Sequence, residues 1–225
     1  MTSIDGKLIS GKPLWVENVG YVSQPTLGEI LEDYEKYETY VSTITLDISE
    51  YIKDISVDID INAFDLLMSN EILSSKMFEA IAFFIKGRLS MSSEGIKTER
   101  GLINHFTFPS FRQAVERVAC ITQNSNSGKP KNKKALEILA KINKAKQMVK
   151  KKTDRNLELD NMIGALCARS NTYNLTNIMG LTLYQFYDQF SRQCLFESYD
   201  VMRRRWATWG KDQFDTQIWY KKNEK

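Results

Sequence analysis

The side chains best suited to chemistry are one histidine, three cysteines, a short aspartate cluster and a run of lysines. His105 stands between Asn104 and Phe106. A catalytic histidine needs an oriented nucleophile or carboxylate partner, and no GxSxG or related motif offers one, so His105 reads as structural or surface. Cys120, Cys167 and Cys194 are far apart and odd in number, without a CxxC pair. That argues against a disulfide framework or a zinc site and for a reducing compartment. Asp54, Asp58 and Asp60 lack the glycine-turned loop of a calcium site and read as a solvated strand face. Gly128-Lys129 lacks the upstream glycine of a phosphate loop and reads as a turn. No constellation supports an enzyme, a metal or a cofactor.

The lysines carry the charge signal. Between Lys129 and Lys152 there are ten lysines and a single acid, Glu137, within a chain of net charge +3. The positive charge is therefore local. Such a face can neutralise phosphates by counterion release. Without interleaved aromatics or base-reading pairs, it gives little nucleic-acid specificity. Lys141, Lys144, Lys150, Lys151 and Lys152 read better as a solvated helix face or a basic docking face for an acidic protein. Arg203-Arg204-Arg205 forms a second basic spot beside Trp206, where stacking or a cation–π contact is available.

The elements that must position these residues are mostly helical. At 225 residues, 42% of them hydrophobic, the chain can bury a core without staples. The N-terminal stretch lacks the apolar region of a signal peptide, and the longest apolar run, Ala80 to Ile85, is too short to span a bilayer. Leu14–Val16 and Val19–Val22 predict short strands around a turn at Glu17-Asn18, within an otherwise irregular Leu8–Val22. Thr26 and Glu29 form a capping box after Pro25. The helix it opens places Leu27, Ile30, Leu31, Tyr34 and Tyr37 on one face and runs to about Val41. Ser49–Ile52 reads as a short helix, and Val57–Ile61 alternates like a strand. Ala63–Met68 and Glu71–Phe84 read as helices, the latter with Ile72, Met77, Ala80 and Ile81 inward. Phe83–Ile85 alternatively starts a strand to Leu89, which Ser92–Gly95 turns into a hairpin with Ile96–Phe106. Helices are expected from Phe108 to before Asn124, from Asn132 through the lysine run, and from Leu157 to Leu166.

A second capping box, Thr182 and Gln185, opens the longest helix. Leu183, Phe186, Tyr187, Phe190 and Cys194 form one apolar seam of it. Leu195, Tyr199, Met202, Trp206 and Trp209 form another, stepping by three and four. Two seams suggest contact on two sides, the chain's own core on one and a partner or second subunit on the other. The alternative is a helix buried centrally in the monomer. The fold class expected is mainly α (α+β), a helical bundle with a small β-hairpin element. One domain with two lobes is expected, 1–123 and 131–225, joined by a loop at 124–130.

Four stretches together carry a family resemblance. They are Gln24–Ile30 followed by Tyr34 and Tyr37–Tyr40; the Phe108–Asn124 helix with its Lys-Pro-Lys-Asn loop and lysine-rich helix; Leu181-Thr182-Leu183-Tyr184-Gln185-Phe186-Tyr187-Asp188; and Trp219-Tyr220. In order and spacing they resemble the tail assembly chaperone-like proteins of tailed phages and prophages of Gram-positive bacteria. The resemblance implies a non-enzymatic morphogenesis factor in the cytoplasm of the infected host. Such factors coat the apolar, helical tape-measure protein until tail-tube subunits displace them. It implies no catalytic residues and no cofactor. The tape-measure protein is the expected partner, with tail-tube protein and a second copy as further ones, and no membrane. A structural tail or baseplate subunit, or a nucleic-acid-binding accessory protein using the lysine helix, are the competing readings.

Overall fold

The computed structural model describes residues 4–46, 63–69, 71–121, 158–210 and 215–220. The chain groups into two compact units, Met1–Ile121 with Met179–Lys225, and Thr122–Ile178. Residues 179–225, which the expected division at 124–130 assigns to a C-terminal lobe, thus group with the N-terminal unit.

The first unit opens with a short helix, α1 (Ile4–Ile9), where the sequence suggested irregular chain from Leu8. Strands β1 (Leu14–Val16) and β2 (Gly20–Val22) pair antiparallel as expected, with Trp15 opposite Tyr21. Asn18 takes a positive φ of 59° in their turn, a conformation asparagine tolerates better than most residues. Leu14, Val16 and Val22 face inward while Trp15 and Tyr21 face solvent, the alternation that a half-buried strand requires.

Thr26 caps α2 (Leu27–Glu32) with both arms of the capping box present. The single long helix expected here divides at Asp33. The Asp33 backbone leaves the helical region (φ −150°, ψ 84°) and its carboxylate accepts the Lys36 N–H at 3.0 Å, which opens α3 (Tyr34–Ile44). Aspartate favours a cap over a helix interior because its side chain competes for backbone donors. The kink separates the predicted apolar face: Leu27, Ile30 and Tyr37 are buried, and Tyr34 is exposed.

Helix α4 (Ala63–Met68) precedes α5 (Glu71–Ile85). The latter packs along α3, with Tyr37 and Tyr40 ring centroids 6.0 and 5.5 Å from Phe83. Met77, Ala80 and Ile81 are inward as expected, but Ile72 is 69% exposed. It lies in the first turn, ahead of the buried residues of the helix, which begin at Met77. Phe83–Ile85 stay helical, since α5 continues to Ile85. Strands β3 (Ser90–Ser92), β4 (Gly95–Lys97) and β5 (Leu102–Ile103) form a three-stranded antiparallel sheet, where a two-stranded hairpin was expected. The turn that splits the expected second strand brings Gly101 against the β1–β2 turn. Leu102 N–H donates to the Asn18 carbonyl at 2.8 Å, and a Cβ on Gly101 would lie 2.0 Å from that oxygen.

Helix α6 (Phe108–Val118) starts with Pro109 in its first turn and buries Phe108, Phe111, Val115 and Val118. From it Arg112 reaches the Thr45 and Leu46 carbonyls at 2.8 and 3.1 Å and pairs with buried Glu116 at 2.9 Å. The guanidinium so satisfies the chain beyond the C-terminus of α3, whose last carbonyls have no intrahelical donors.

The second unit contains α7 (Leu159–Arg169), with Met162, Ile163 and Leu166 buried. It ends in a turn where Asn174 accepts the Thr176 and Asn177 N–H groups. The fold is mainly α with small antiparallel β elements. The readings at Ser49–Ile52, Asp54 to Asp60, Val57–Ile61, Gly128-Lys129, Asn124–Pro130 and the lysine helix lie outside the described residues.

Candidate functional site

The longest helix, α8 (Leu183–Trp209), belongs to the first unit and begins at Thr182. The Thr182 hydroxyl accepts the Gln185 N–H at 3.3 Å, and Gln185 Oε1 accepts the Thr182 N–H at 2.9 Å. Gln185 has a further role that its sequence position did not reveal. Its Nε2 donates to the Ile9 carbonyl at 2.8 Å, which fastens α8 to the end of α1. The two capping boxes also meet: Thr26 and Thr182 form an isolated antiparallel bridge, and Leu27 N–H donates to the Leu181 carbonyl at 2.8 Å. Leu183 and Phe186 then enter the core, as do Leu27 and Ile30 behind the other box. Tyr187 is half-buried, and burial, followed by the nearby Cys120, pushes its phenol up from the ordinary value.

Burial stops there. No residue of α8 beyond Phe186 is buried. Phe190 is half-buried and Cys194 exposed, so the first seam enters the core only through its first turns. Of the second seam, Leu195, Tyr199 and Met202 are half-buried, whereas Trp206 is 50% and Trp209 65% exposed. Phe196 (54%) and Val201 add apolar surface that the seam pattern did not include. Among the described residues, α8 is thus buried only over its first turns. The 3₁₀ turn Ile218–Tyr220 packs back on α8, with Trp219 and Tyr220 edge to face at 5.0 Å and each about half exposed.

The exposed half is kept helical by its own side chains. Asp188 pairs with Arg192 at 2.8 Å, and Asp200 pairs with both Arg203 and Arg204 at 2.7 Å. The Arg203 hydrogen bond leads the effects that hold the Asp200 carboxyl below its ordinary value. Gly210 closes the helix in the left-handed conformation (φ 60°), its N–H donating to the Trp206 carbonyl at 2.8 Å, the usual use of glycine at a helix C-terminus. Solvent-exposed ion pairs contribute little each. They brace the turns that lead to Trp206 and Trp209, which stay half or more exposed. Large exposed apolar surface on an ordered element is characteristic of interaction sites.

The other candidate residues lie apart from this surface. Lys141, Lys144, Lys150, Lys151 and Lys152 are outside the described residues. His105 is half-buried, its ring centroid 3.6 Å from that of Phe106. Cys120, Cys167 and Cys194 are free thiols. Among the described residues, no group of three or more His, Cys, Asp or Glu is placed to hold a metal ion, and no helix is long and apolar enough to cross a membrane. A cleft between β1 and α6, with Lys7 and Arg117 among its lining residues, has a volume of ≈ 220 Å³. That is below the roughly 300–1,000 Å³ of small-molecule sites.

Residues 149–224 match the family described as YomV second domain. That family is phage-associated. The matched stretch contains all of α7 and α8 and the Ile218–Tyr220 turn, and so the exposed Phe196, Trp206, Trp209, Trp219 and Tyr220. No curated protein and no solved structure matches the chain.

Proposed function

We propose that this protein is a non-enzymatic phage tail assembly factor that binds and shields the tape-measure protein in the host cytoplasm before the tail tube closes around it. The observation that carries the reading is the distal half of α8, ordered and capped but with Trp206, Trp209 and Phe196 facing solvent. An apolar helical client needs such a surface to cover it until assembly. The phage association of the matched family and the resemblance in Leu181–Asp188 support the same reading. A broad, shallow surface also suits a client that must later be released. It spreads the contact over several side chains and encloses none of them in a deep pocket.

The test is to follow the protein through infection by affinity capture and by mass spectrometry of purified particles. Capture of the tape-measure protein from infected cells, with the chain absent from finished virions, is the expected result. Stoichiometric retention in virions would instead establish a structural tail or baseplate subunit and overturn the chaperone role.

A further inference from the structure

The cleft between β1 and α6, within the first unit, is smaller than usual small-molecule sites but has walls suited to an extended chain. One wall is the consecutive run Leu14, Trp15, Val16 and Glu17. Alternate side chains of a strand point to opposite faces, so a cleft that touches all four follows the strand's edge. The other wall is Ser110, Gln113, Ala114 and Arg117 of α6, whose spacing of i, i+3, i+4 and i+7 marks one helix face.

That strand edge is open. Glu17, Asn18 and Val19 form the loop between the paired Val16 and Gly20, and Val19 N–H donates to the Val16 carbonyl at 3.2 Å. Val16–Gly20 is thus the hydrogen-bonded pair that closes the hairpin, and alternation makes Trp15–Tyr21 a pair without mutual bonds. The Trp15 N–H and C=O therefore point away from β2. Among the described residues, neither has a hydrogen-bond partner. Pro13, which has no N–H to leave unpaired, fits the same outward edge. Lys7 and Arg117 also line the cleft, and neither side chain has an ion-pair or hydrogen-bond partner among the described residues. Glu17 is the one carboxylate of the lining, which leaves positive charge in excess. Glu116, beside Arg117 in sequence, is buried and paired with Arg112.

We propose that this cleft takes an extended, acidic segment of a partner protein as an added strand on β1. Trp15 N–H donates to that segment and Trp15 C=O accepts from it. The segment's apolar side chains lie toward Leu14, Val16 and Ala114, and its carboxylates toward Lys7 and Arg117. In strand addition the main-chain bonds supply affinity and the flanking side chains supply selection; here the selection is charge. A second copy of this chain fits less well. Antiparallel β1–β1 pairing about Trp15 sets Pro13 opposite Glu17 on both sides, and proline lacks the N–H that each such pair needs. The site shares no residue with the exposed α8 surface, and its test does not depend on the tape-measure reading.

The probes are short fluorescein-labelled peptides that alternate valine with either glutamate or lysine. Anisotropy titrations with the full chain should show the glutamate peptide binding roughly tenfold tighter than the lysine peptide. Lys7→Glu/Arg117→Glu should reverse that order, with helix content unchanged by circular dichroism. Backbone N-methylation of the glutamate peptide at alternate residues should abolish binding in one register and spare it in the other, and the Trp15 amide should exchange more slowly in the complex. Met202→Gln/Trp206→Gln should leave peptide binding as it is. Equal binding of the two peptides, equal tolerance of the two N-methyl registers, or an unprotected Trp15 amide overturns the proposal. Loss of binding in Met202→Gln/Trp206→Gln overturns it by placing the peptides on α8. Concentration-dependent dimerisation that protects the Trp15 amide without peptide overturns it in favour of a second copy.

Discussion

The two halves of α8 share one helix and similar aromatic content, yet they are used in opposite ways. The proximal half is fastened by the Thr182 box, the Ile9 carbonyl and the Thr26 bridge, and it sends Leu183 and Phe186 into the core. The distal half is closed by Gly210 and braced by Asp200, and none of its residues is fully buried. Aromatic content therefore does not decide burial here; the presence of a facing element does.

The sharpest way to break this contrast is to truncate one aromatic from each half. Phe186→Ala should cost about 3–5 kcal/mol in denaturant unfolding, because it leaves a cavity in a packed core. Trp206→Gln should stay within about 0.5 kcal/mol of the parent, as surface changes do. Equal losses would mean that the distal aromatics support the monomer. Next in size is the anchor: Thr182→Ala removes a helix cap and should cost about 1 kcal/mol. Hydrogen exchange should then rise in the first turns of α8 and leave the Asp200 region unchanged.

A smaller effect distinguishes the two capping boxes. Burial raises the Glu29 carboxyl, but the hydrogen bonds from Lys86 and Thr26 outweigh it, and the net shift is downward from the ordinary 4.5. A depressed carboxyl contributes stability that is full above the unfolded value and is lost as pH falls through the folded one. Glu29→Gln should therefore flatten the acid limb of the stability curve. The Thr182 box uses Gln185, which does not titrate, so Gln185→Glu should leave the existing acid limb in place and add to it. Smallest of all, acidification should protonate Asp200, held low chiefly by Arg203, and release Arg203 and Arg204. The expected signature is a shift of their side-chain resonances without loss of helix signal.

Much of this contrast was legible in the residues. Both capping boxes read directly, because Thr and Glu or Gln three apart satisfy each other's backbone donors locally. The β1–β2 pair and most of the inward face of α5 followed from alternation and helical spacing. Features that depend on distant chain did not. Asp33 looked like one polar residue on an apolar helix until its carboxylate was seen capping α3. Ile72 matched the inward pattern of α5 but lies ahead of the stretch that packs. The turn at Gly101 that splits β4 from β5 is set by the Asn18 carbonyl, far away in sequence. The seam of Leu195, Tyr199, Met202, Trp206 and Trp209 was visible as spacing. Whether it faced core or solvent was not, because periodicity names a face and not its neighbour.

The most direct test pairs stability with client capture on one variant, Met202→Gln/Trp206→Gln. The account predicts an unfolding midpoint close to that of the parent and loss of tape-measure capture from infected cells. Undiminished capture, or a large drop in stability accompanying its loss, would contradict the assignment of this face to a partner.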